Sequence, residues 1–249
     1  MTDWPYPYWI AHRGAGKLAP ENTLAAFRLG AQHGYGAFEC DVKLSADDVP
    51  FLLHDATLTR TAGVEGVAGE RPWSELSRLD AGGWHSRLYA GEPMATLEGV
   101  AGYVLRNRFH LNIEIKPTPG HEERTGRVVA RHAARLWRDA AHPPLLSSFQ
   151  PLALAAAQAS EPALPRALLL DELHDGWFEQ AAQLGCVAVV ANQSLWTGAM
   201  VERLHAEDLR ALAYTVNEEA MARHLTALGL DGLITDAVDR FPAQAGRRF

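Results

Sequence analysis

Short apolar runs of strand character alternate with helical patterns along nearly the whole chain, and ionisable residues collect where those strands end. Alternating strands and helices imply a parallel sheet, and eight such units predict a closed (β/α)8 TIM barrel. An open doubly wound sheet is the competing arrangement, but no glycine-rich dinucleotide fingerprint follows any strand. The length of 249 residues suits one barrel, and no linker, repeat or low-complexity tract divides it, so a single domain over 1–249 is expected.

Taken in order, Trp9-Ile10-Ala11 reads as the first strand, and His12-Arg13-Gly14-Ala15-Gly16 follows its end. Pro20-Glu21-Asn22-Thr23 then opens a helical pattern through Leu24, Phe27 and Leu29 to His33. Gly34 closes it, in keeping with proline at helix starts and glycine just past their ends. Asn22 reads as a cap of that helix, with a role near the site as the alternative. Next comes the stretch 38–55, two apolar runs around a polar turn too short for a parallel crossover, hence an antiparallel hairpin. Side chains alternate along a strand, so Glu39 and Asp41 share a face. With the turn centred on Ala46 and Asp47, residue 39 lies opposite residue 54, which delivers His54 to the carboxylates.

Residues 57–93 are irregular and rich in Gly and Trp, with one short helical piece near 74–79. Such an excursion from a regular fold often covers a site, and Trp73 and Trp84 are expected to hold its small core. Regularity returns with a helix at 97–107 and a strand at 111–116. Helices at 122–140, 151–159, 177–184, 198–205 and 218–228 then alternate with strands at 145–149, 166–170, 187–191, 210–216 and 232–235.

Apolar residues make up 47% and charged residues 21%, ordinary for a soluble protein with a sizeable core. The net charge of -7 argues against nucleic-acid or anionic-membrane partners, which need a basic surface. It leaves room for a small anion held by a local cluster of Arg13, Lys116 and a metal. The opening residues lack a basic start followed by an apolar run, and no stretch reaches the roughly 18 uninterrupted apolar residues of a membrane span. Cys40 and Cys186 stand alone, which fits a reducing compartment and offers no metal-ligand spacing. The cytoplasm is the expected location.

A barrel carries its chemistry at the C-terminal ends of its strands. His12 and Arg13 end the first strand, Glu39 and Asp41 lie in the second, Glu114 and Lys116 in the third, and Asn217 follows the seventh. A lone histidine is more often structural than catalytic, and Glu114 with Lys116 could be a plain ion pair. Convergence favours function, because burying so many ionisable groups is costly unless a metal and a substrate use them. Glu39, Asp41 and Glu114 form an all-oxygen set suited to a hard divalent cation such as Mg2+ or Ca2+. His12 and His54 titrate near neutrality and suit general acid and base roles, while Arg13 and Lys116 suit phosphate oxygens. Phosphodiester cleavage is the reaction these parts fit best.

The ordered motifs His12-Arg13-Gly14, Pro20-Glu21-Asn22-Thr23, Glu39-x-Asp41, His54-Asp55, Asp80-Ala81-Gly82, Glu114-x-Lys116, Ser147-Ser148-Phe149, Tyr214-Thr215-Val216-Asn217 and Asp231-Gly232-x-x-Thr235-Asp236 are a specific set. In order and spacing they resemble the glycerophosphodiester phosphodiesterase family, and the opening Trp4-Pro5-Tyr6-Pro7 is similar to its bacterial cytoplasmic members. The resemblance implies a (β/α)8 barrel with an insertion at about 56–93. It also implies hydrolysis of glycerophosphodiesters, such as glycerophosphocholine and glycerophosphoethanolamine, to glycerol 3-phosphate and an alcohol. By motif position, His12 and His54 would be the acid–base pair, Glu39, Asp41 and Glu114 the ligands of Mg2+ or Ca2+, and Arg13 and Lys116 the phosphate contacts. The implied partner is a small molecule, with no nucleic acid and no stable membrane association. The family's hairpin turn often has Gly where this chain has Asp48, and Asp tolerates the same left-handed conformation. Phe149, Trp196 and Tyr214 are candidates to line the pocket. A barrel that binds such diesters without cleaving them is the rival reading, disfavoured by the intact set of histidines and carboxylates.

Overall fold

The computed structural model describes residues 4–241 and 243; the remaining ends of the expected 1–249 domain lie outside the described residues. The parallel strands are β1 (Trp9–Ala11), β2 (Ala37–Leu44), β4 (His110–Ile115), β5 (Leu145–Ser148), β6 (Arg166–Leu170), β7 (Ala188–Asn192), β8 (Arg210–Tyr214) and β9 (Gly232–Thr235). β3 (Pro50–Leu52) runs antiparallel to β2 as the return arm of the hairpin. Hydrogen bonding proceeds in the order β1-β9-β8-β7-β6-β5-β4-β2, and pairing of β1 with β2 closes the barrel. Closure explains why β2 is buried along its whole length: one face meets helices and the other meets the barrel interior.

Between the strands lie α1 (Leu24–Gln32), α4 (Leu97–Arg106), α5 (Glu122–Leu136), α6 (Pro151–Ser160), α7 (Trp177–Gln183), α8 (Gly198–Ala206) and α9 (Glu219–Ala227). Local chemistry sets several boundaries. Thr23, Thr96 and Thr197 cap α1, α4 and α8 by accepting backbone N–H bonds, and Pro151 occupies the first turn of α6. Strand residues facing outward, such as Phe38, Cys40, Val42, Ile113 and Ile115, join the helices in the large outer core. Inside the barrel Ile10, Leu145, Leu169, Val190, Leu212 and Ile234 pack together, with Trp4 and Tyr6 against them. Both cysteines are buried thiols, and among the described residues no helix is long and apolar enough to cross a membrane.

The excursion after the hairpin contains α2 (Thr59–Ala62) and α3 (Trp73–Leu76) and has its own core of Leu58, Ala68, Leu76, Ala81 and Met94 packed on Phe51 and Leu53. Trp73 packs against that core, but Trp84 does not: it is 40% exposed, with the Arg60 guanidinium 5.6 Å from its ring centre. The hairpin register also differs from the expected one. Val42 pairs with Leu52 and Lys43 with Phe51, so residue 39 is in line with 55 rather than 54. The turn centres one half-step later, on Asp47, because Asp48 adopts φ 63° and the Ser45 hydroxyl accepts from Val49 N while donating to Asp47. Pairing ends where Leu53 N donates to Asp41 O, and His54 projects past the paired segment.

Close approach of α1 to the loop after β1 depends on Gly30. A methyl group there would run into the Gly14 carbonyl oxygen and the Phe38 ring. Helix propensity alone favours alanine over glycine by about 1 kcal/mol, whereas overpacking costs about 1–3 kcal/mol. Gly30→Ala is therefore expected to lower the thermal unfolding midpoint; a midpoint at or above that of the parent protein would contradict this packing account.

Candidate active site

Asp41 on β2 and Glu114 on β4 are partners in the parallel register, and Glu39 lies on the same inward face of β2. Each of the three carboxylates can offer an oxygen within 4.8 Å of the other two, and their exposures are only 3%, 1% and 9% for Glu39, Asp41 and Glu114. Anions this close and this buried need compensation. Part of it is local: Arg13 Nε stands 3.2 Å from Asp41 Oδ2, and Lys116 Nζ lies 3.3 Å from Asp41 Oδ1 and 2.7 Å from Glu114 Oε1. Glu39 accepts the Arg13 backbone N–H at 3.0 Å. Glu39 Oε1 is buried with no hydrogen bond, and Asp41 Oδ1 has the Lys116 ammonium at 3.3 Å. An all-oxygen trio with an unsatisfied atom fits a hard divalent cation.

Protonation follows the same imbalance. Burial first, then the Asp41 charge, raise Glu39 and Glu114 above the usual carboxylate range. Burial pushes Asp41 the same way, but the Arg13 and Lys116 charges overcome it and hold Asp41 well below its ordinary value. Loading a cation onto the trio would therefore expel protons from the two flanking glutamates.

Both histidines are fixed through Nδ1. His12 Nδ1 is 2.7 Å from Asp236 Oδ1, and Asn217 donates to Asp236 Oδ2 at 3.0 Å while accepting from Asp236 N. His54 Nδ1 is 2.8 Å from Asp55 Oδ1, and Arg60 clamps Asp55 through Nε and Nη2. The clamps differ in charge. Asp236 is held by a neutral amide, with the Lys17 charge also acting on it, whereas Asp55 shares its charge with a guanidinium. Burial disfavours a protonated His12, yet the Asp236 bond and the Glu39 charge outweigh it, and its pKa rises above the usual value. At His54 burial prevails, helped by the positive Arg13 and Lys116, and its pKa falls.

A further layer ties these groups together. Asn22, at φ 60°, donates to Asp41 Oδ2 at 2.8 Å and accepts from Asp41 N at 3.0 Å, so it braces a carboxylate while Thr23 caps α1. Glu21 accepts from both Arg13 and Arg60 and so links the barrel wall to the insertion.

All seven residues singled out from sequence converge at the mouth. His12, Arg13, Glu39, His54, Glu114 and Lys116 line a cavity of about 370 Å³, with Asp41 directly behind them. Arg13 and Lys116 are spoken for by carboxylates as well as facing the cavity. Phe149 and Tyr214 line it as expected, but Trp196 is buried in the outer core instead. From sequence Asn22 could either cap α1 or stand near the site, and neither Asp236 nor Arg60 has an expected role. Asp236 was findable as a carboxylate at the end of the last strand; Arg60 was not, because only the folded insertion brings it to Asp55.

These parts place the molecule among the hydrolytic (β/α)8 barrels. A family model described as the glycerophosphoryl diester phosphodiesterase family matches residues 12–240. A glycerophosphodiester phosphodiesterase of Bacillus altitudinis is 30% identical over 239 residues, covering 93% of this chain and 95% of its own. Among solved structures, a phosphodiesterase of Oleispira antarctica in complex with the product sn-glycerol-3-phosphate superposes with a TM-score of 0.87 at 33% identity, covering 96% of this chain and 95% of its own. A glycerophosphodiester phosphodiesterase of Agrobacterium tumefaciens does so with a TM-score of 0.76 at 27% identity, covering 95% and 99%. The chain belongs to the glycerophosphoryl diester phosphodiesterase family and is an enzyme of that kind, a phosphoric diester hydrolase.

A carboxyl whose folded-state pKa is raised contributes stability below its ordinary value and loses it as pH climbs through the raised one. At neutral pH, Glu39 thus strains the metal-free protein. Glu39→Gln keeps an acceptor for Arg13 N and removes one charge, so metal-free stability should rise by about 1 kcal/mol. Thermal unfolding with and without Mg2+ or Ca2+ checks this: added cation should raise the parent's midpoint and leave the variant's nearly unmoved. A less stable metal-free variant would contradict the electrostatic reading.

Proposed function

We propose that the chain carries out metal-dependent hydrolysis of glycerophosphodiesters to glycerol 3-phosphate and an alcohol, with His12 and His54 as the acid–base pair. The observation that carries this reading is two imidazoles on one cavity, each held through Nδ1 by a carboxylate, beside a buried oxygen trio. The complex of the Oleispira antarctica relative with sn-glycerol-3-phosphate supports the choice of product. A divalent cation, Mg2+ or Ca2+, bound by Glu39, Asp41 and Glu114 would supply Lewis-acid polarisation of a phosphoryl oxygen. Arg13 and Lys116 bring positive charge to the remaining phosphate oxygens.

With Nδ1–H committed to a carboxylate, each ring presents Nε2 to the substrate. His54, whose pKa is lowered, is neutral and accepts the nucleophile's proton as the new bond to phosphorus forms. His12, whose pKa is raised, holds a proton and gives it to the leaving alcohol oxygen as the old bond breaks. Two nucleophiles are chemically competent, the neighbouring glycerol hydroxyl and water. Reactions stopped early in 18O-labelled water separate them, because only the first passes through a cyclic phosphate.

His12→Ala and His54→Ala should each lower turnover by about 10²–10⁴-fold, read as glycerol 3-phosphate release. Parent-like rates in either variant would remove that residue from the mechanism. The pH profile of kcat/KM should be bell-shaped, rising as His54 deprotonates below the usual histidine value and falling as His12 deprotonates above it. Asp236→Asn weakens the clamp that raises His12, so its alkaline limb should move to lower pH. An unmoved alkaline limb would contradict the assignment of the acid.

A further inference from the structure

The cavity floor holds a free hydrogen-bond donor. Asn112 lies on β4 as the register partner of Glu39, and its side chain shares the inward face with Glu114, two residues on. It lines the cavity together with Ser147, Leu169 and Ile234, and all four are buried. The Ser147 hydroxyl donates to Asn112 Oδ1 at 2.9 Å, which orients the amide and occupies its carbonyl. Asn112 Nδ2 is left buried with no hydrogen bond. A buried donor without an acceptor is costly, so one that persists beside a cavity calls for a ligand. A void of about 10 Å³ beneath the floor shares Asn112 with Trp4, whose Nε1 is itself a buried donor without a partner, so that side brings a competing donor.

We propose that Asn112 recognises the glyceryl arm of the diester: Nδ2 donates to a glycerol hydroxyl, and Ser147 holds the amide in position to do so. The register places Asn112 beside the carboxylate trio, so a phosphate bound there sets one of its two ester arms against the floor. The floor is closed and its residues are buried, which suits the part of the substrate that does not vary. The rim, where Asp171 is exposed and Phe149 and Tyr214 are half-buried, leaves room for the alcohol that does. A hydroxyl can accept as well as donate, so it answers an N–H that an alkyl chain would leave buried and unpaired. The inference rests on the diesterase reading above and adds the residue that recognises the glycerol.

The test compares binding of sn-glycerol 3-phosphate and of n-propyl phosphate, which share a phosphate on a three-carbon chain and differ in the hydroxyls. Dissociation constants are measured by calorimetry, with Mg2+ or Ca2+ held at one concentration, for the parent, Ser147→Ala and the double variant Asn112→Leu/Ser147→Ala. The double variant removes the amide together with the hydroxyl that holds it, so it buries no newly unpaired group. The parent should bind sn-glycerol 3-phosphate about tenfold more tightly than propyl phosphate, and that ratio should fall close to one in the double variant. Ser147→Ala alone keeps the amide but releases its orientation, and should give an intermediate ratio. A parent that binds the two phosphates equally overturns the proposal. So does a parent-like ratio in either variant, even where both phosphates bind more weakly, because equal losses mark a purely structural role. If the parent releases no glycerol 3-phosphate from glycerophosphocholine, the diesterase reading itself fails and takes this inference with it.

Discussion

Three buried carboxylates converge on one point of the barrel wall, answered by the Arg13 and Lys116 side chains and, at Glu39, by the His12 ring at 3.8 Å. Asp41 is the pivot: Arg13, Lys116 and Asn22 all address it, and its stabilised charge pushes the flanking glutamates toward protonation. A metal-free trio is therefore unfinished electrostatically. A divalent cation would complete it, and the all-oxygen donor set suits a hard one. The same geometry leaves Glu39 Oε1 buried without a hydrogen bond, which suits a ligand site.

The insertion is joined to this centre by charge as well as by packing. Its hydrophobic face seats on Phe51 and Leu53 of the hairpin, while Arg60 reaches back to Glu21 and Asp55. Glu21 also holds Arg13, so one carboxylate couples the His54 clamp to the cation beside Asp41. The barrel by itself supplies His12 and its Asp236–Asn217 support. The excursion is needed to complete the second clamp, while the two histidines part in pKa because Asp236 and Glu39 raise His12 and the Arg13 and Lys116 charges add to burial at His54.

Periodicity carried the barrel well because its strands are short apolar runs bounded by clear helix signals, and motif order carried the seven mouth residues. Boundaries moved by a residue or two where strands end in polar side chains, as at Asn192 and Tyr214. The hairpin slip arose from the turn, since a left-handed Asp48 adds a residue that alternation cannot see. For Asn22 the sequence leaves cap and site role both open, because Asn and Thr are both good caps; the fold decides it, since Thr23 does the capping and Asn22 donates to Asp41. Trp84 failed for a different reason, as a large apolar ring also serves at the surface under an arginine.

The central claim is that the carboxylate trio works only when an external cation completes it. Glycerol 3-phosphate release from glycerophosphocholine, measured after stripping with EDTA and again after restoring Mg2+ or Ca2+, tests this directly. The account predicts loss of release on stripping and recovery with one or both ions. An undiminished rate in the fully stripped protein would contradict it.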